Sequence, residues 1–350
     1  MMRRKKSRGR GRGKGGQGRW YALGLAGALA LGWTLTRGES QDPNAPEGEP
    51  MALSAPAVGE GGEAPAKPAG AAPPELVAAF GRLGQDDIHP LLDLRRLAIE
   101  FAETQAGARA RRALDGEANR CLSEARDQGK GAYPRLKAMT RAYVATLGSQ
   151  TRRALREEAE SLSQAALAAA GCPLVKVYTV KPGDILARIA RRHKTEYRLI
   201  KRLSGVTRDF LKVGQKLRVP QGKSEVVIFK GQFELLVMLD GCLLRAFDVA
   251  TGKHGRTPEG RFVIGTKTVN PTWYSPNGGV YPFGNENNIL GTRWMAFKDT
   301  AQHQGFGIHG TKFPESIGTE ASMGCIRMRN AEVEVVYDLI PGGSKVRIVK

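Results

Sequence analysis

Cysteine is scarce in this chain. Cys121, Cys172, Cys242 and Cys325 are the whole supply in 350 residues. Their wide spacing contains no CxxC and no zinc-ligand pattern, and four are too few for a disulfide scaffold of this length. In an oxidising compartment Cys121 and Cys172, which flank one helical region, could pair; the alternative is two unpaired buried thiols. Acidic side chains are also under-supplied, 34 against 54 Lys and Arg, for a net charge of +20. A basic body favours polyanions or acidic surfaces, among them bacterial walls, anionic lipids and nucleic acid. The 41% of hydrophobic residues suffices for packed cores, while 44 glycines and 19 prolines point to stretches that do not pack. At roughly 100–200 residues per domain the length accommodates two or three domains.

The first nineteen residues hold no acid, but they do hold Arg3, Arg4, Lys5, Lys6, Arg8, Arg10, Arg12, Lys14 and Arg19. An apolar run from Trp20 to Leu35 follows, closed by Arg37. It sits at the short edge of the roughly 17–25 residues that span a bilayer, with Trp20, Tyr21 and Trp33 where interfacial aromatics belong. Residues 1–37 therefore read as a basic tail and a transmembrane signal-anchor in the inner membrane. The positive-inside rule keeps the tail in the cytoplasm and exports the remainder to the periplasm or cell-wall space. No small-x-small cleavage site follows the run, which favours an uncleaved anchor over a cleaved signal peptide. The Arg-Gly alternation from Arg8 to Gly13 is also a pattern of RNA-binding segments, but no aromatic is interleaved and an apolar run adjoins it, so no nucleic acid is expected. Residues 38–74, rich in Pro, Ala and Gly, have no apolar periodicity and read as a disordered linker.

Between 75 and 171 apolar residues recur at helical spacing: Leu91, Leu94, Ala98 and Phe101, then Leu136, Met139, Tyr143 and Leu147, then Leu155, Ala159, Leu162 and Ala166. Gly171 and Pro173 end the last helix. No chemistry is visible in this helical region. His89, before Pro90, has no evident partner and reads as a surface or helix-start residue.

Residues 174–221 read as a small βααβ module. Tyr178-Thr179-Val180 is a strand, Pro182-Gly183 a turn, and Asp184 an N-cap. Ile185, Leu186, Ile189 and Ala190 form the inward stripe of the first helix; Tyr197, Ile200 and Leu203 form that of the second. Lys216 to Val219 is the closing strand, stopped by Pro220. The strings Tyr178-Thr-Val-Lys-Pro-Gly-Asp184, Ile189-Ala190 and Leu211-Lys-Val-Gly-Gln-Lys-Leu217-Arg-Val-Pro220 resemble the LysM family, which implies binding of peptidoglycan glycan strands. Gly183, Asp184, Ile185 and Ser204 fall by its glycan-facing loops. Ile185 stands where the family usually has Thr, and Ser204 near where it commonly has Asn.

From 224 to 350 strand signals dominate. Val226–Phe229 and Phe233–Leu239 precede the hairpin turn Asp240-Gly241, and Cys242–Val249 returns. Thr251-Gly252 turns again, and Thr257-Pro-Glu-Gly260 leads into Arg261–Gly265. One helix is expected, capped by Asn330, lined by Val333, Val336, Tyr337 and Ile340, and stopped by Pro341-Gly342. The fold class is thus multidomain, ending in a mainly antiparallel β domain. Its candidate nucleophile is Cys325, behind Gly324, whose lack of a side chain permits close backbone approach to a substrate carbonyl. His309, sixteen positions earlier, is the candidate base, and Arg327 adds positive charge. Cys242, on an alternating strand, reads as buried and inert; His193 and His254 read as surface residues.

Ile308-His309-Gly310-Thr311, Pro314-Glu-Ser-Ile-Gly318 and Ser322-Met-Gly324-Cys325-Ile-Arg327-Met-Arg-Asn330 resemble the YkuD-type L,D-transpeptidases. So do Thr257-Pro-Glu-Gly260-Arg-Phe262, Asn270-Pro-Thr-Trp273 and Leu290-Gly-Thr-Arg-Trp294-Met. The resemblance implies a β-sandwich-like domain needing no metal or organic cofactor. Cys325 would attack the carbonyl of the third residue of a peptidoglycan stem, with His309 as general base and acid. Backbone N–H groups near Gly324 and Cys325 would hold the oxyanion. Gly310 and Ser322 would shape the site, and Arg327 would position the loop or a stem carboxylate. An amine acceptor would give a 3→3 cross-link; water would make the enzyme a carboxypeptidase or cross-link hydrolase. Met323 replaces a frequent His or Arg, and Asn288-Ile289 stand where Pro is common. The reading from another class is a non-catalytic wall-binding protein.

Overall fold

The computed structural model describes residues 72–85 and 87–350. The expected tail, signal-anchor and all but the end of the expected linker lie outside them. Among the described residues no helix is long and apolar enough to cross a membrane.

The chain opens with the short helix α1 (Pro74–Val77), then α2 (His89–Glu100), α3 (Gln105–Arg126), α4 (Ala132–Ala145) and α5 (Ser149–Ala168). Each of the last four turns one apolar stripe inward. Leu91, Leu94 and Ala98 on α2 meet Ala110, Leu114 and Cys121 on α3, with Leu136, Met139 and Tyr143 on α4. Cys121 and Cys172 are both buried free thiols.

The small module follows as β1 (Val175–Thr179), α6 (Leu186–Arg192), α7 (Tyr197–Ser204) and β2 (Lys216–Pro220), its two strands antiparallel. Three expectations need correction. Asp184 is not the N-cap: Ile185 holds that position, and the Asp184 carboxylate accepts from Tyr178 Oη at 2.7 Å and Lys181 N at 2.9 Å. Ile185 is 53% exposed, outside the core stripe. On α7 it is Leu199, not Leu203, that is buried beside Ile200.

The remaining strands are β3 (Ser224–Phe229), β4 (Glu234–Leu239), β5 (Cys242–Asp248), β6 (Thr251–Gly252), β7 (Gly260–Val269), β8 (Trp273–Tyr274) and β9 (Val280–Tyr281). They continue as β10 (Arg293–Phe297), β11 (Gly307–His309), β12 (Glu320–Ser322) and β13 (Ile326–Arg327). Helix α8 (Asn330–Leu339) and strand β14 (Lys345–Val349) end the chain. Eight of these form one sheet in the order β13-β11-β10-β7-β14-β3-β4-β5, antiparallel except for the β14–β3 and β11–β13 pairs. Asp240 and Gly241 both have positive φ, as a tight hairpin between β4 and β5 requires. Beyond β5, Ala250 pairs with Arg327 of β13, so the ends of the sheet are brought together. Thr251-Gly252 is therefore strand rather than turn: its pairing with β12, distant in sequence, overrides the local turn signal.

The helices seal the β5 edge of this sheet. Thr140 Oγ1 accepts from Leu243 N at 2.9 Å, and Glu160 accepts from Ala246 N at 3.0 Å. Donors on an open edge would otherwise invite pairing with another chain. Below that edge, buried Glu234 of β4 accepts from Tyr143 Oη at 2.5 Å, from Arg156 Nη2 at 3.0 Å, and from Arg152. Arg95 and Arg152 lie over the Phe229 ring at 4.3 and 4.6 Å, and Arg95 also closes α4 through the carbonyls of Val144 and Thr146. His89 is not without partners: it contacts Asp87 at 2.5 Å and Glu225 of β3 at 3.3 Å, which raises its pKa. The helical region is thus built into the large sheet. Glu234→Ala would leave buried guanidinium charge uncompensated; a loss of about 3–5 kcal/mol is expected, read as a lower urea midpoint, with a smaller loss for Glu234→Gln.

Candidate active site

The parallel pairing of β11 with β13 sets Ile308 opposite Ile326 and His309 opposite Arg327. Alternation along strands turns Ile308 and Ile326 into the core. His309 and Arg327 therefore share the opposite face, and Cys325, next but one to Arg327, is placed on that face too. The pairing sets His309 beside Arg327, and Cys325 and His309 both lie against Trp294.

Each is fixed by its surroundings. His309 is 3% exposed and lies beside Trp294 of β10, ring centroids 5.9 Å apart. Its Nδ1 is 2.5 Å from the Gly310 carbonyl oxygen. Only an N–H is welcome there, so Nδ1 carries the proton and Nε2 the lone pair. Cys325 packs against Leu290, Trp294 and Ala296, and its thiol points to Gly305 O at 3.7 Å. Burial lowers the His309 pKa to about 4, aided by the Arg327 charge and opposed by the Gly310 bond. Burial raises the Cys325 pKa to about 11, against the pull of the Gly307 backbone and Arg327. The resting pair is neutral thiol and neutral imidazole.

The turn before Cys325 is held from both sides. Ser322 Oγ donates to Cys325 O at 2.6 Å and accepts from Gly324 N at 3.0 Å. Thr257 Oγ1 donates to Gly324 O at 2.8 Å and accepts from Gly252 N at 2.7 Å. Gly324 has φ +142°, and a Cβ there would stand 2.6 Å from the Phe306 ring. Glycine is thus required here by its neighbours, not only by substrate approach. One expectation meets a competing contact: the Gly324 N–H is already engaged by Ser322. Arg327 is half-buried, and its guanidinium has no carboxylate partner among the described residues.

Asn330 is the first residue of α8, not its cap; Arg329 holds the cap position. Its Oδ1 accepts from Thr292 N at 3.2 Å and from Thr311 N at 3.1 Å. A Cβ on Gly310 would lie 2.2 Å from that oxygen, so Gly310 makes room for Asn330 beside the histidine. At the module's loops the expected glycan contacts are partly committed: Ser204 Oγ accepts from Arg218 N at 2.8 Å, and Gly183 O accepts from Arg188. A shallow cavity of about 470 Å³ along β7 and β10 contains neither Cys325 nor His309. Among the described residues no cluster of His, Cys, Asp and Glu could hold a metal.

Residues 223–348 match the L,D-transpeptidase catalytic domain and residues 178–220 the LysM domain. YqjB of Bacillus subtilis, named as an L,D-transpeptidase, is 41% identical over 36% of this chain and 72% of its own length. YkuD of Bacillus licheniformis, named likewise, is 33% identical over 49% of this chain and 98% of its own. The chain belongs to the YkuD family of L,D-transpeptidases. The N-acetylmuramoyl-L-alanine amidase sle1 of Staphylococcus epidermidis is 51% identical over 13% of this chain and 14% of that protein.

In this member of the family the residues missed at the sequence level are Thr257, Asn330 and Trp294. Each lay in a noted string, but none carries reactive chemistry, and the contacts they make cross 67, 38 and 15 positions. Two outcomes are expected. Asn330→Ala would orphan two backbone N–H groups at about 1–3 kcal/mol each, read as a lowered melting temperature and slower Cys325 alkylation by a substrate-like electrophile. The acid limb of kcat/KM should fall near pH 4, where His309 protonates, not near 6.5. The same depressed pKa removes stability as pH falls from 6.5 through 4, because the unfolded chain binds the proton first; stopped-flow rates and unfolding across that window check both.

Proposed function

We propose that this chain is an L,D-transpeptidase of peptidoglycan that works through a thioester on Cys325. The observation that supports the reading is the β11–β13 pairing, which sets His309 beside Arg327, two residues after Cys325, with Cys325 and His309 both against Trp294. Cys325 Sγ attacks the carbonyl of the third residue of a tetrapeptide stem, typically diaminopimelate, and the thiol proton passes to His309 Nε2. With both groups neutral at rest, proton transfer accompanies attack rather than preceding it. The Cys325 N–H stabilises the oxyanion, and the positive field of Arg327 favours the thiolate and a stem carboxylate. Collapse breaks the amide C–N bond. The imidazolium returns its proton to the leaving nitrogen, and D-alanine departs. The amine of a second stem then attacks the thioester, gives its proton to His309 and restores the thiol, leaving a 3→3 cross-link.

The LysM module holds the glycan strand, with exposed Ile185 and the loop around Phe210 as its open surface. The exposed thioether of Met323 borders the nucleophile where a charge is frequent in the family. The basic tail and apolar run from Trp20 to Leu35 anchor the enzyme in the inner membrane, with its catalytic domain on the wall side.

Intact-mass spectrometry of the protein with a disaccharide-tetrapeptide tests the mechanism. Wild type is expected to gain the acyl-stem mass, and Cys325→Ala to gain nothing and to turn over nothing. Retained transpeptidation by Cys325→Ala would sink the reading. A tripeptide product in place of a cross-linked dimer would assign the deacylation step to water.

A further inference from the structure

The LysM module is mounted on the catalytic domain, not tethered to it. Only Gln221, Gly222 and Lys223 separate β2 from β3, and this connection is hydrogen-bonded at both ends. Gln221 N donates to Leu174 O at 2.8 Å, and Lys223 O accepts from Asp240 N at 2.9 Å. On the α7 side the contact is ionic and largely dry. Lys267 of β7, its side chain 10% exposed, places Nζ against Glu196 of the module, Tyr337 O at 2.7 Å and Ile340 O at 2.5 Å. All three ammonium protons are thereby used, at the carbonyl end of α8 where a cation is favoured. Arg198 of α7 pairs with Asp338 at 3.5 Å and lies 5.9 Å from the Tyr337 ring centroid. From the other side Arg218 of β2 reaches the carbonyls of Leu167 and Ala169 behind α5.

The mount and the open loops use different residues. Glu196, Arg198 and Arg218 face the rest of the protein, whereas Ile185 and Phe210, 53% and 89% exposed, face solvent. The same helix α8 that receives the module begins at Asn330, beside the His309 loop.

We propose that the module and the active site form one rigid gauge. A glycan strand on the loops around Ile185 and Phe210 offers its stems to Cys325 at a set span, making the enzyme selective for polymeric strands over short soluble fragments. The proposal rests on the transpeptidase reading. A rigid mount concentrates the correctly placed stem at the thiol, whereas a flexible tether spreads it over every orientation.

The test compares wild type with two loosened proteins: Glu196→Gln with Arg198→Ala, and a ten-residue Gly-Ser insertion between Gln221 and Gly222. Each is given a soluble disaccharide-tetrapeptide and, separately, uncross-linked glycan polymer carrying tetrapeptide stems. Retention on insoluble peptidoglycan is measured alongside. Wild type should prefer polymer. Both loosened proteins should lose about tenfold in kcat/KM on polymer while staying within about twofold on the soluble substrate, with retention unchanged. Full polymer activity in the insertion protein, or no polymer preference in wild type, overturns the gauge while soluble turnover still upholds the transpeptidase reading. Turnover of neither substrate by wild type removes that reading and the gauge with it.

Discussion

The carboxamide oxygen of Asn330 accepts two backbone N–H groups, one from Thr292 and one from Thr311. It can do so only because Gly291 and Gly310 leave the space: a Cβ on either would lie 2.1 or 2.2 Å from that oxygen. One side chain thus joins the start of α8, the segment leading into β10 and the loop that follows His309. The orientation of His309 depends on the Gly310 carbonyl, and Gly310 depends on this joint. A polar group shared by three segments fixes their relative positions more sharply than apolar contact, because leaving any of its partners unpaired is costly.

Periodicity carried the helices of residues 75–171, and apolar strand runs with the Asp240-Gly241 turn carried β3, β4 and β5. Those signals are local, and each element satisfies them within a window of about ten residues. The ordered strings around His309 and Cys325 pointed to the family. What remained hidden was whatever depends on tertiary pairing. Asn330 has the composition of a cap and stands at the right place for one, yet its acceptor serves residues 19 and 38 positions away. Thr251-Gly252 looks like a turn until β12 arrives to pair with it. Arg95 and Arg152 read as ordinary residues of polar helix faces; only the Phe229 ring and Glu234 make them interior. His89 meets Glu225 across 136 positions. Local pattern reports which residues are apolar, but a buried charge is legible only together with its partner.

The sheet has two unlike ends. At β5 its free donors are taken by Thr140 and Glu160 of the helices. At β13 the site occupies the short terminal strand, which pairs beyond the sheet with Ala250. Helices cover the first end, and His309 and Arg327 stand at the second.

The docking of the helices also bears on the order in which the protein takes shape. Synthesis runs from the N-terminus, so Tyr143, Arg152 and Arg156 emerge about 80 residues before Glu234. Until β4 arrives, the helices carry a basic, aromatic surface with no counter-charge. That surface receives its counter-charge only with β4, which lies between β3 and β5. Helix α8 and β14 follow Cys325 in the chain, and β14 lies between β7 and β3, so the middle of the sheet closes only with its last strand.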